Sequence, residues 1–171
     1  MARGTHDRRS RGEIKQTVDR RKQEYGEKTD SLKHDADDIG IEHSAFEEME
    51  AIGTEEGMEE VTACLHEAED TSVKEFAEDG NALQEAQQEG QEFEGELNER
   101  AHATEGDRQK IGDARQQMHG DNAATRVEQA ENQTREDIEF LRGEEERGRE
   151  SRETAEQEHE QLKQIVHGSG G

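Results

Sequence analysis

The sequence predicts an all-α protein, built as elongated helical hairpins in a coiled-coil-like bundle with no β-sheet. Three observations predict it. The 171 residues contain no proline, serine–glutamate pairs recur at the spacing of helix starts, and apolar residues return every seven positions along three stretches.

The missing proline matters because the rest of the composition points toward disorder. Leu, Ile, Val and Phe together number 22, about 13% of the chain, and the net charge is −24. Low hydrophobicity with high charge is the signature of chains that stay unfolded. Such chains are usually rich in proline, and this one instead carries 34 Glu, 14 Gln and 15 Arg, all good helix formers. Composition therefore favours helices with narrow apolar seams. Seams this thin predict burial against other copies of the chain or against a protein partner, so the chain is expected to be a homo-oligomer or to work in a complex.

Helix starts are marked by Ser10 with Glu13, Ser44 with Glu47 and Ser72 with Glu75, with Asn81 and Gln84 as a weaker version. In this pattern the hydroxyl accepts an otherwise unpartnered backbone N–H and the carboxylate returns the favour. Helix ends are expected at Gly40, Gly53, Gly80 and Gly120, because glycine reaches the left-handed conformation that closes helices. The run His119-Gly120-Asp121-Asn122 joins a stop to a new start and reads as a hairpin turn.

The first apolar row is Val18, Tyr25, Leu32, Ile39 and Phe46. The second is Phe76, Leu83, Gly90, Leu97, Thr104, Ile111 and Met118, with Ala86, Phe93 and Ala114 three positions after members of it. The third is Val127, Thr134, Leu141, Gly148, Ala155 and Leu162, with Ile138 beside it. A seven-residue repeat keeps one stripe facing a partner helix. The second seam position is often polar, as at Asp79, Arg100 and Asp107, so loose hairpins are expected in place of a tight zipper. These signals divide the chain into a basic helical arm (1–40), acidic short helices (41–80), a long antiparallel hairpin (81–166) and a flexible glycine-rich tail (167–171). In the hairpin's second arm Glu131/Arg135, Glu145/Arg149, Glu139/Arg142 and Glu144/Arg147 fall at ion-pair spacing, which reads as a solvated helix face.

Charge is distributed unevenly. Residues 1–28 hold nine basic and five acidic side chains, whereas residues 42–105 hold 21 acids against only Lys74 and Arg100. The arm (Arg3, Arg8, Arg9, Arg11, Arg20, Arg21, Lys22) suggests phosphate binding at first sight. No aromatic residue lies among these bases, and the rest of the chain would repel a polyanion. The arm is therefore expected to contact the chain's own acidic segment, not nucleic acid or membrane.

Residues capable of chemistry are present, but their spacing is weak. Glu99–His102 and Glu156–His159 have the Glu-x-x-His spacing of di-iron helix bundles, yet with eight His and 34 Glu chance alone supplies about 1.6 such pairs, and Arg100 sits on the same seam. Cys64-x-His66 lacks the second ligand pair of a zinc site, and Cys64 reads as an inert, half-buried thiol that permits no internal disulfide. The terminal Gly168-Ser169-Gly170-Gly171 reads as a flexible end. No catalytic, cofactor-binding or metal-ligating residue is assigned and no cofactor is expected. No run approaches a membrane span, and no apolar segment follows the basic start to make a secretory signal. The expected function is that of a non-enzymatic structural or scaffolding protein that self-associates. The alternative is an acidic adaptor or chaperone-like module covering a basic partner. The expected location is the cytoplasm, with signal-less export left open.

Overall fold

A computed structural model describes residues 9–52, 58–118 and 120–169 of the chain. They form three helices: α1 (Arg11–Ile52), α2 (Met58–Gln116) and α3 (Asp121–Ser169). The helices pack against each other as an all-α bundle, with no strand among the described residues. Gly53, Arg3, Arg8, His119 and the final Gly170-Gly171 lie outside them.

Helix α1 starts as its sequence dictates. The Ser10 hydroxyl accepts the Glu13 N–H at 3.1 Å, and the Ser10 carbonyl accepts the Ile14 N–H at 3.0 Å. At its far end α2 tightens, with Gln117 N–H bonding to Ala114 and Met118 N–H to Arg115. Such three-residue closures satisfy carbonyls that a helix end leaves open. Helix α3 opens with the Ala124 N–H on the Gly120 carbonyl at 2.9 Å.

Two of the expected stops and three of the expected starts are absent. Helix α1 runs through Gly40 and Ser44, and α2 runs through Ser72, Gly80 and Asn81. Long helices take the place of the short ones expected over 41–80, and α3 continues past residue 166 to Ser169. The local signals lose to packing. Ser72 is buried and donates to Glu42 Oε1 across α1 and α2 at 3.1 Å, so its hydroxyl serves a neighbouring helix instead of a cap. Threonines inside the helices are satisfied within their own helix: Thr17, Thr29, Thr62, Thr71 and Thr104 each donate to the carbonyl four residues back.

The chain divides into two units, Met1–Lys22 with Glu89–Glu150 and Gln23–Gln88 with Ser151–Gly171. In the first, Ile14, Val18, Phe93, Leu97, Ala101 and Leu141 form the core, with Phe140 against it. The pairs Arg9–Glu96 (3.2 Å) and Arg21–Glu89 (3.8 Å) set α1 antiparallel to α2. Arg11 with Asp137, and Asp19 with Arg147, advance together and set α1 parallel to α3. The arm's guanidinium groups also cover aromatic rings. Arg9 and Arg21 lie 5.1 and 5.6 Å from the Phe93 centroid, and Arg11 lies 5.4 Å from that of Phe140. Arg9 and Arg21 thus meet the acidic segment of this chain, while Arg11 meets α3.

The C-terminal ion pairs are not all solvated. Glu131 is buried between Arg115 and Arg135, at 3.2 Å from each, and buried Glu144 pairs with Arg147 at 2.6 Å. Arg149 pairs with Glu145 at 3.5 Å. Glu131 falls four residues after Val127 of the third row, as Ile138 does after Thr134, and its burial beside that row separates the structure from the simple surface-face expectation.

In the second unit Tyr25, Leu32, Ala36, Ile39, Phe76, Leu83, Ala86, Ala155 and Val166 form the core, with Leu162 packed on it. Tyr25 donates to the Ala86 carbonyl at 3.5 Å. His43 meets Glu69 further along, so α1 and α2 are again antiparallel. Lys33 reaches Glu158 of α3 at 3.9 Å. The first apolar row is buried from Val18 to Ile39 and half-buried at Phe46, as a seven-residue stripe requires.

Candidate functional site

The second unit changes character toward the α1–α2 connection. Ile165 of α3 lines a groove with Ala36, Gly40, Ile41 and Ser44 of α1. Val166 of α3 borders another groove with Val73 and Phe76 of α2. Further along, the end of α1 and the beginning of α2 face each other as a helical pair, the tip, with Phe46 against His66.

Burial follows the change. None of the described residues between 40 and 71 is fully buried. Phe46, Met49, Met58 and Leu65 are half-exposed, and Ile52 and Val61 are 53% and 45% exposed. A cavity of about 420 Å³ opens between the two helices, lined by Phe46, Glu50, Met58, Glu59, Thr62, Ala63 and His66. Its wall is firm on one side, where the Phe46 and His66 rings lie 5.5 Å apart at 38°. Apolar surface of this kind, rimmed by charge, marks an interaction site more often than a solvated end.

The charge is all of one sign. From residue 34 to residue 73 the sequence holds fourteen Asp and Glu and no Lys or Arg. His43 ties the root of the tip together. Its Nδ1 lies 2.9 Å from Glu69 Oε1 on α2, and its Nε2 lies 3.0 Å from Glu47 Oε1 on α1. The hydrogen bond to Glu69, and then the two carboxylate charges, hold the His43 pKa above its ordinary value.

Below the tip, Asp35 of α1 is buried. Burial first, then a hydrogen bond and the charge of Asp79, push its pKa up to about 7, with Glu75 and Asp38 adding to the effect. A shared proton relieves two carboxyl groups that face each other in this way. The sign of the resulting pH dependence is definite. A raised folded-state pKa penalises the folded form as pH climbs from the unfolded value toward 7, and the penalty is constant above it. His43 adds in the same sense, its contribution present at low pH and lost as pH rises through its raised folded pKa. His159, whose pKa is lowered by burial and by Lys163, acts in the opposite sense as pH falls below its ordinary range. Asp35→Asn isolates the first effect. The variant is expected to gain about 1–2 kcal/mol, or roughly 2–8 °C in thermal midpoint, at pH 8. The gain should shrink steadily between pH 7 and 4, and an equal gain at both ends would contradict the assignment.

The motifs read from the sequence are scattered. Glu99 and His102 are both exposed, in the first unit. In the second unit Glu156 is exposed and bound to Arg152 at 3.0 Å, whereas the His159 ring is buried, edge-on to Phe76 at 6.1 Å. Cys64 is exposed, not half-buried, because it lies on the tip, where no described residue is fully buried. His66 faces the cavity and approaches Asp70 at 3.7 Å. Among the described residues no group of three or more His, Cys, Asp or Glu side chains is placed to hold a metal ion. No described helix is long and apolar enough to cross a membrane.

No protein-family model, curated protein or solved structure matches the chain. The acidity of the tip is legible in the sequence; its geometry is not, because the facing of Phe46 and His66 depends on the register between α1 and α2.

Proposed function

We propose that this chain is a non-enzymatic helical interaction module, in which the bundle holds an acidic two-helix tip out to a protein partner. The observation that carries the reading is the cavity between α1 and α2, where half-exposed apolar side chains stand among carboxylates. It favours the adaptor over the self-assembling scaffold, because two copies meeting tip to tip would oppose like charges. The exposed free thiol of Cys64 fits a reducing compartment, and the cytoplasm is the location we assign.

The two readings differ in solution mass. Light scattering on the sized protein is expected to give the 19.4 kDa monomer at physiological salt over a wide concentration range. Self-association should emerge only when molar salt screens the carboxylates. Growth of the particle with concentration at physiological salt would favour the scaffold and overturn the adaptor.

A further inference from the structure

The tip's geometry also specifies what would fit it. Two antiparallel helices with a cavity between them form a groove that a further helix can enter. Helices recognise such grooves through apolar side chains spaced i, i+3, i+4 and i+7. The cavity between Phe46, Met58, Thr62 and His66 offers a place for one or two of these. Its flanks carry Glu50 and Glu59, with exposed Glu48 and Glu60 close by in sequence. The Glu47 carboxylate is already committed to His43.

We propose that the tip docks a cationic amphipathic helix of another protein. Such a helix would place its apolar stripe in the cavity and its Lys and Arg side chains along the two acidic flanks. Charge complementarity selects the occupant, because forty consecutive residues carry fourteen acids and no Lys or Arg. The chain's own basic arm is a poor occupant. Its apolar side chains Ile14 and Val18 are 0% and 2% exposed in the first unit's core, and Arg9, Arg11 and Arg21 are paired with Glu96, Asp137 and Glu89. A second copy brings the same net charge of −24. An external helix supplies both the missing apolar contacts and the missing cations.

The proposal rests on the interaction-module reading and names the class of partner. Its test uses the full chain and three synthetic peptides of about 18 residues, roughly five helical turns. One has leucines at i, i+3, i+4 and i+7 with lysines elsewhere. The second keeps the leucines and replaces lysine by glutamine, and the third keeps the lysines and replaces leucine by glutamine. Calorimetric titration at physiological salt is expected to show micromolar binding of the first. The other two should bind at least about tenfold more weakly.

Met58→Glu should cost about tenfold in affinity although it adds another acid, and Thr62→Arg should do the same by filling the cavity with a cation. Both positions are half-exposed, and an acid in the first turn of a helix is compatible with folding. Far-UV circular dichroism and the thermal midpoint check that each variant is folded. Equal binding of the leucine-free peptide would reduce the effect to bulk charge and overturn the proposal. Equal binding of the glutamine peptide, or unchanged binding by both variants, would overturn it as well. A monomeric chain that ignores all three peptides refutes the helix proposal alone, whereas a chain that self-associates through the tip refutes the underlying reading.

Discussion

Phe93→Ala is expected to lower stability by about 3–5 kcal/mol, corresponding to roughly 6–20 °C in thermal midpoint. The first unit's core holds few large apolar side chains, and Phe93 is 5% exposed among them. Its ring is also the surface over which Arg9 and Arg21 lie. The substitution removes apolar contacts and cation–π contacts together, each of the latter contributing about 0.5–1 kcal/mol. Phe46→Ala supplies the comparison. That ring is half-exposed on the tip, so its loss should cost about 1 kcal/mol or less. Thermal melts followed by circular dichroism measure both. A Phe46 effect as large as the Phe93 effect would mean that the tip is part of a closed core, and would remove the basis for an interaction surface there.

The contrast between the two rings shows what was legible in the sequence. Both belong to seven-residue patterns, Phe46 as the last member of the first row and Phe93 three positions after Gly90 of the second. Periodicity identified the side of the helix that each ring occupies. It carried no information about how many helices stand opposite. That number depends on the register between α1 and α3, which the ion pairs Arg11–Asp137, Asp19–Arg147 and Lys33–Glu158 mark within their respective units. Ion-pair partners more than a hundred residues apart leave no local signature.

Helix ends were legible where no tertiary contact opposed them and illegible where one did. Ser10 caps α1 as its spacing with Glu13 requires, and the helices break near Gly120. Ser72, with the same spacing to Glu75, is buried and bonded to Glu42. In a chain with 34 Glu, a serine often has a glutamate three places on by chance. Polar seam positions such as Asp79 stand out in the sequence, whereas Asp35, three places after Leu32, does not. Their meaning appears only when α1 and α2 are laid antiparallel and the two carboxyls oppose each other.

Gly80 gives the clearest case of a residue whose local reading and tertiary role differ, and Gly80→Ala turns that difference into a measurement. Read locally, glycine at 80 is a helix stop. In the bundle it lies inside α2, and a Cβ built there would come within 2.8 Å of His159 Nε2 and 3.2 Å of its Cε1. The ring is buried and packed edge-on against Phe76, so to admit a methyl it must give up that packing and shift toward the groove it lines with Gly80. Glycine is therefore present for close approach of α2 to α3, at a cost in helix propensity of up to about 1 kcal/mol. Alanine would recover that propensity but introduce overpacking of about 1–3 kcal/mol, so Gly80→Ala should lower the thermal midpoint by a few degrees. Gly40→Ala should do the reverse, because nothing lies within 4 Å of a Cβ there. It should gain about 0.5–1 kcal/mol. The decisive measurement is Gly80→Ala in a His159→Ala background. With the ring gone the clash disappears and only the propensity gain remains, so the same substitution should change sign and become stabilising. If Gly80→Ala stabilises the unaltered protein, or destabilises it equally with and without the His159 ring, the close approach of the two helices at this level is not what keeps glycine in place.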